Sequence, residues 1–188
     1  GNDFFNVDNK LNTTAKGTAQ QEDTRWQKTF RAGRMLATEM IDACSEIAPV
    51  DVLFVPGNHD EERVFYLGDA LECWYHNNQN VRIDNDAMSR KYYHYGSVLL
   101  GFTHGNSETF KKLPSIMQFE VPKLWGDSIY REWHTGDKHH KMDFVLEVEE
   151  QVGIVVRVLR SLAPADAWTF SHGFVGSQRA AEAFLWHP

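Results

Sequence analysis

The sequence predicts an α/β fold in which strands deliver polar side chains to one edge of a sheet. An apolar run with strand propensity, Val52 to Val55, meets the turn-forming pair Pro56-Gly57. Three polar residues follow at once: Asn58, His59 and Asp60. Because ligands bind beyond the carboxyl ends of strands in open α/β sheets, this stretch predicts a site. An ordinary strand-to-helix turn with Asp60 as N-cap is the alternative.

Helical and strand patterns alternate along most of the chain. Apolar residues at helical spacing predict one helix over Thr24 to Ile47 and a second over Glu61 to His76. The segment Ser107 to Trp125, which contains Pro114 and Pro122, is expected to be helical in pieces. Strands are expected at 50–55, 81–83, 92–95, 97–102, 130–133, 144–148, 154–159 and 181–186.

Length and composition favour one domain over residues 1–188. Hydrophobic residues make up 42% of the chain and charged residues 24%, which is the range of folded domains. Cys44 and Cys73 fall inside predicted helices, so we expect two small core residues of a cytoplasmic protein rather than a disulfide. No apolar run approaches the roughly 18 residues that a membrane span needs, and no membrane partner is expected.

The net charge limits the classes of molecule that the chain is expected to bind. A charge of −7 offers no broad basic surface for tight, static binding of nucleic acid. An acidic chain can still act on phosphates if bound cations supply positive charge locally. The composition therefore leaves metal-dependent chemistry on a phosphate open.

Metal-capable side chains recur at four predicted strand ends. They are Asp3 with Asn6, Asn58 with His59, His104, and Asp137 with His139. Carboxylate, imidazole and amide ligands suit a borderline divalent ion such as Mn²⁺, Zn²⁺ or Fe²⁺ better than a structural zinc held by thiolates. Two ions about 4 Å apart would clamp a phosphate and hold the hydroxide that attacks phosphorus. His59, oriented by Asp60, would act as general acid or stabilise charge at the leaving oxygen.

Four motifs resemble those of the calcineurin-like metallophosphoesterases, in the order of that family. Gly57-Asn58-His59-Asp60 is similar to its Gly-Asn-His-Asp/Glu motif, and Asp3-Phe4-Phe5-Asn6 resembles its Gly-Asp-x-x-Asp/Asn motif. Thr103-His104-Gly105 resembles its isolated histidine, and Gly136-Asp137-Lys138-His139 its Gly-His-x-His motif. The stretch Asp60-Glu61-Glu62-Arg63 is similar to phage or prophage members, and the resemblance covers essentially the whole chain.

The resemblance implies a four-layer αββα sandwich of two mixed sheets, with the metals at one rim. It implies that Asp3 is the carboxylate that bridges two metals. Asn58, His104 and Asp137 would hold one metal. His139 would help to hold the other. Two divalent ions per intact site are implied, and we expect Mn²⁺, with Zn²⁺, Fe²⁺ and Mg²⁺ as alternatives.

The family's opening Asp-x-His strand is missing from this chain. Gly1 to Asn6 already reads as the end of a strand and matches the second motif. We therefore expect a fragment of a longer protein whose N-terminal strand is absent. Its second metal would keep only Asp3 and His139, which is too few ligands for tight binding of a catalytic ion.

Asp137 stands where the family usually has histidine. Aspartate can still bind Mn²⁺ or Mg²⁺ through oxygen, although it is shorter and adds negative charge. His134 or His140 can compensate for the missing imidazole. Alternatively the site has lost its function, and the chain is then expected to bind one metal ion weakly or none.

Asn6, Arg63 and Arg179 are candidate contacts to the phosphate ester. Arg63 follows the site motif by one helical turn, where it can reach a phosphate oxygen or lie exposed, and Arg179 is a similar case. Aromatic residues in the loop 163–177 can stack on bases or pack the loop against the sheet. Packing is favoured, because no run of Lys or Arg accompanies them.

The expected function is hydrolysis of a phosphodiester or phosphomonoester by a metal-activated hydroxide. The phage-like segments favour a nuclease or another phosphodiesterase by analogy, so nucleic acid is a candidate partner. One alternative is a catalytically inactive binding or assembly module of the same fold. A structural zinc protein is a second alternative, against which the lack of clustered cysteines argues.

Overall fold

The computed structural model describes residues 3–22, 25–137, 142–148, 151–162 and 179–188. The chain divides into two compact units, Gly1–Ser89 and Arg90–Pro188. Each unit combines a β-sheet with helices, which confirms the predicted α/β class. The single domain over residues 1–188 stays a prediction.

The first unit is a parallel pair of strands with two helices. Its elements are helix α1 (Trp26–Ser45), strand β1 (Val50–Leu53), helix α2 (Glu61–Tyr75) and strand β2 (Val81–Asp84). The two strands run parallel, with Val50 opposite Val81. Helix α2 makes the crossover between the two parallel strands. The polar stretch Asn58 to Asp60 follows β1 and therefore lies at the carboxyl end of this sheet, as the sequence predicts.

An apolar core joins the opening segment of the chain to both helices and strands. Its buried members are Phe5, Ile41, Phe54, Val64, Leu67, Leu71, Tyr75 and Val81. Gly33 of α1 gives Phe5 its room, because a Cβ there would lie 2.5 Å from the Phe5 ring. Since Phe5 is 3% exposed, the residues that follow Asp3 are anchored in the core rather than loose on the surface.

The two cysteines are exposed free thiols, so their prediction as core residues is wrong. On α1 the stripe that packs against the core runs through Phe30, Ala37 and Ile41, and Cys44 lies beyond it near the helix end. On α2 Cys73 lies two residues after the buried Leu71, which places it on the opposite face of the helix.

The second unit is a five-stranded mixed sheet with two helices. Its elements are β3 (Arg90–Tyr95), β4 (Val98–Thr103), a 3₁₀ turn (Phe110–Lys112), α3 (Leu113–Glu120), α4 (Pro122–Asp127), β5 (Tyr130–Thr135), β6 (Met142–Val148) and β7 (Gln151–Val158). The strand order is β3-β4-β5-β7-β6. β4, β5 and β7 run parallel, and β3 and β6 flank them antiparallel.

One face of this sheet packs on α3 around a fully buried tryptophan. The core residues are Leu99, Leu113, Met117, Trp133, Ile154 and Val156. The Trp133 indole donates a hydrogen bond to the backbone oxygen of Leu113 at 3.0 Å, so its polar atom is satisfied inside the core. Helical pieces in the segment 107–125 are confirmed.

The strand predicted over 181–186 is wrong, since residues 179–188 form no regular secondary structure. The alternating pattern has another cause. Phe184 and Trp186 pack on the His134 ring, with ring centroids 4.9 and 5.7 Å from it, while Leu185 between them is 85% exposed. The alternation of apolar and polar residues therefore indicates an extended segment with one apolar side. Such a segment can pack on its neighbours without pairing with another strand.

Glu132 on β5 lies between His134 of the same strand and Arg157 of β7. Its carboxylate accepts hydrogen bonds from Arg157 at 2.9 and 3.1 Å, and His134 Nε2 lies 3.3 Å from it. Burial opposes ionisation of Glu132, but the hydrogen bonds from His134 and Arg157 outweigh it and lower the pKa to about 2. The ion pair therefore stabilises the charged form of this carboxyl in the folded state.

Stability should fall in acid through Glu132. The folded pKa of about 2 lies below the ordinary value of 4.5, so the contribution is complete above pH 4.5 and is lost as the pH falls through 2. Glu132→Gln keeps the shape without the charge. We expect the difference in free energy of unfolding between wild type and Glu132→Gln to shrink by about 1–2 kcal/mol from pH 6 to pH 2, because solvent screening of the partly exposed ion pair reduces the full effect of the pKa shift. Urea unfolding at several pH values measures it, and a constant difference would contradict the expectation.

Candidate functional site

Asp60 ties the turn after β1 to the opening segment of the chain. It is fully buried, and its two carboxylate oxygens accept hydrogen bonds from the Phe5 N–H at 2.8 Å and the Gly57 N–H at 3.2 Å. It occupies the N-cap position of α2, but its side chain makes no capping hydrogen bond. The alternative is therefore right about the position of Asp60 at the start of the helix, but the Asp60 side chain binds the turn and the opening segment instead of capping the helix.

The Asp60 carboxyl is kept from ionising at its usual pH. Burial raises its pKa to about 7; the N–H of Phe5 acts in the opposite direction, and the nearby charge of Asp3 adds to the rise. A buried carboxyl with a shifted pKa beside polar strand-end residues is typical of functional sites.

The residue that caps α2 is Asp8, which the sequence analysis did not single out. One of its oxygens accepts the N–H groups of Glu62 at 2.7 Å and Arg63 at 3.1 Å. These are among the first amides of the helix, which have no partner inside it. Asp8 is separated from them by more than 50 residues, so no local spacing indicates the cap.

Asp3 and His59 bind each other across the same turn. The Asp3 carboxylate accepts the His59 N–H at 2.9 Å. Gly57 makes this approach possible, because a Cβ at Gly57 would overlap the Asp3 carboxylate and lie 2.5 Å from its backbone nitrogen. Asp3 has a φ of 48°, a left-handed conformation that aspartate tolerates better than most residues. The motifs Asp3-Phe4-Phe5-Asn6 and Gly57-Asn58-His59-Asp60 therefore meet in space.

The His59 ring is oriented by a backbone carbonyl. Its Nδ1 lies 3.0 Å from the backbone oxygen of Asn6, and a carbonyl only accepts, so Nδ1 carries the hydrogen. Nε2 is then the ring nitrogen that can exchange a proton with a substrate. The Asn6 side chain itself is exposed and donates to the backbone oxygen of Gln21 at 3.0 Å.

Arg63 is buried rather than exposed, at 5% of its accessible surface. Its Nη2 donates to the backbone oxygen of Asn9 at 2.9 Å, whereas its Nη1 has no hydrogen-bond partner. Arg179, in the second unit, is exposed. Contact of either arginine with a phosphate stays a prediction.

In the second unit His104 and Asp137 follow adjacent parallel strands, β4 and β5. Because these strands pair in parallel, their carboxyl ends lie side by side. His104 Nε2 is 3.5 Å from an Asp137 oxygen, and the Gly136 N–H donates to the His104 backbone oxygen at 2.9 Å. Asp137 has a φ of 62°, again left-handed. The structure thus brings together the two ligands predicted from Thr103-His104-Gly105 and Gly136-Asp137-Lys138-His139.

The described residues include one of the three other histidines considered near Asp137. His139 and His140 lie outside the described residues. His134, considered as a substitute ligand, is 4% exposed and its Nε2 faces Glu132.

The proposed ligands of each unit are of types that a borderline divalent ion accepts. In the first unit they are Asp3 and Asn58, which offer oxygen donors. In the second unit they are His104 and Asp137, which offer an imidazole nitrogen and a carboxylate. Within the described ranges, no group of three or more His, Cys, Asp or Glu could hold a metal ion. Neither pair alone gives a complete coordination shell.

Comparison of the chain with family models, curated proteins and solved structures found no match. No described helix is long and apolar enough to cross a bilayer.

Proposed function

We propose that this chain is a metal-dependent phosphoesterase of the calcineurin-like class, with the four-layer αββα sandwich of that family. One observation carries the proposal: Asp3 accepts a hydrogen bond from His59, 56 residues away, over a glycine that must lack a side chain. Two motifs chosen for their chemistry therefore meet at one strand end. The contact between His104 and Asp137 supports the same ligand set.

The residues divide into ligands and proton carriers. Asp3, Asn58, His104 and Asp137 would hold Mn²⁺ or a similar ion, with His139 as a further ligand. When bound, such ions neutralise phosphate charge and make a water acidic enough to act as nucleophile at neutral pH. The Asn6 carbonyl keeps a hydrogen of the His59 ring on Nδ1, so Nε2 would donate a proton to the leaving oxygen only from the imidazolium form, in which both ring nitrogens are protonated. Asp60 fixes the turn that carries His59.

The substrate class we propose is a phosphodiester, with a nucleic acid strand as the leading candidate and a phosphomonoester as the alternative. A catalytically inactive binding module of the same fold is a second candidate. The 3.5 Å contact of His104 with Asp137 favours it, because the two side chains can satisfy each other as a hydrogen-bonded pair without a metal.

The function is tested by metal content after Mn²⁺ loading and by hydrolysis of bis-p-nitrophenyl phosphate. We expect Mn²⁺ binding with turnover, and at least a tenfold loss of metal affinity in Asn58→Ala and in His104→Ala. Close to two ions per chain would mean that other groups complete the second site, which keeps only Asp3 and His139. Asn77→Ala and His187→Ala, at exposed positions of the same units, are the matched controls and should behave as wild type.

Three outcomes separate the candidates. Unchanged metal content in Asn58→Ala and His104→Ala would show that the ligand assignment is wrong. Metal binding without turnover would favour the binding module. A wild-type chain without metal or turnover would contradict the proposed enzyme.

A further inference from the structure

Glu108 lies four residues after His104, and one of its carboxylate oxygens forms hydrogen bonds to residues at the ends of β3 and β4. Its Oε1 accepts hydrogen bonds from the Thr103 hydroxyl at 3.1 Å and from Arg90 Nη1 at 3.0 Å. Arg90 and Thr103 are direct partners across β3 and β4. The Glu108 side chain is 8% exposed, so these bonds are shielded from water. Glu108 therefore closes the loop after β4 back onto the strand that precedes it.

Arg90 is itself held by a second carboxylate. Glu120 at the end of α3 accepts from Arg90 Nε at 3.0 Å and from Arg90 Nη2 at 2.5 Å, and it also accepts from the Tyr92 hydroxyl at 2.6 Å. The guanidinium thus has a fixed fork geometry, one arm of which reaches Glu108. The arm that reaches Glu108 is linked through that carboxylate to Thr103, which precedes His104 at the end of β4.

The His104 backbone is fixed on both sides. Before it, Thr103 is 2% exposed and bound by Glu108. After it, Gly105 has a φ of 96°, and a Cβ there would lie 3.2 Å from the Thr135 side chain, so the loop is pressed against β5. The Gly136 N–H holds the His104 carbonyl. Among these restraints on the backbone, Glu108 contributes through side-chain hydrogen bonds, in addition to the contact that the His104 imidazole makes with Asp137.

We propose that Glu108 is a positioning residue for His104, which aims the imidazole as a metal ligand by anchoring Thr103 and Arg90. This inference rests on the proposed function, in which His104 binds the metal. Groups that orient a ligand from behind it commonly change metal affinity ten- to a hundredfold when they are removed.

The test compares Glu108→Ala with Glu108→Gln and Glu120→Ala in the full chain. Glutamine keeps the acceptor oxygen that both Thr103 and Arg90 use. Glu120→Ala removes Arg90 and Tyr92 bonds from the same network without touching Thr103, so it is the matched control for loss of stability. The readouts are Mn²⁺ affinity by calorimetry, urea unfolding, and the imidazole ¹H–¹⁵N signals of His104 in the metal-free protein.

We expect Glu108→Ala to weaken Mn²⁺ binding at least tenfold and to shift the His104 ring signals. Glu108→Gln and Glu120→Ala should stay within about threefold of wild type in affinity, although Glu120→Ala loses stability. Equal loss of affinity in Glu108→Ala and Glu120→Ala, or unshifted His104 signals in Glu108→Ala, would overturn the positioning role. A wild-type chain that binds no Mn²⁺ would instead overturn the proposed function, whatever the ring signals show.

Discussion

Gly57→Ala is expected to destabilise the first unit by about 3 kcal/mol and to abolish measurable metal binding. The added methyl would overlap the Asp3 carboxylate and come within 2.5 Å of the Asp3 backbone nitrogen. Backbone cannot swing away as a flexible side chain can, so Asp3 must move and give up its hydrogen bond from His59. The backbone of Gly57 is not left-handed, so the contact alone excludes a side chain.

The control for this change is Gly126→Ala in α4. A Cβ there has no atom within 4 Å, and alanine is the better helix former, so stability should stay the same or rise slightly. Thermal unfolding and Mn²⁺ calorimetry on both variants make the comparison. If Gly57→Ala bound metal as wild type does, the placement of Asp3 beside the turn would be wrong.

Asp60→Ala is expected to destabilise the same unit by about 2–4 kcal/mol. It leaves the N–H groups of Phe5 and Gly57 without an acceptor at a position that is fully buried. Asp60→Asn should cost roughly half as much, because its carbonyl oxygen still serves one of the two N–H groups.

Chemical denaturation of Asp60→Ala, Asp60→Asn and Asp69→Ala checks this order. Asp69 is exposed on the same helix, so its replacement should change the free energy of unfolding by no more than about 0.5 kcal/mol. Equal effects of Asp60→Ala and Asp69→Ala would mean that the buried carboxyl does not hold the turn together.

The features that the sequence predicts correctly are those that depend on residues close together in the chain. Pro56-Gly57 predicted the turn after β1, and short apolar runs predicted the strands that precede His104 and Asp137. The α/β class followed from periodicity, and the helical pieces from the prolines. In each case the signal lies within a few residues of the feature.

The missed features depend on contacts that no local pattern encodes. Asp8 caps α2 from a distant loop, and Glu108 reaches back to Thr103 through a turn with no regular structure. The sequence does not show that Cys44 and Cys73 lie on exposed faces of their helices. Apolar residues near a helix end can follow the helical periodicity even where no core extends that far. The alternation of apolar and polar residues over 181–186 predicts a strand for a similar reason: it marks an extended segment with one apolar side, whether or not another strand pairs with it.

The bonds of Asp60 and Asp8 to groups more than 50 residues away have a consequence for the order of folding. Helix α2 can form from local contacts, but its first turn and the site turn are completed only when the opening segment returns across that long loop. Closing a long loop is entropically costly and slow compared with helix formation. Helical signal should therefore appear early in refolding, and the ability to bind metal should arrive in a later, distinct phase.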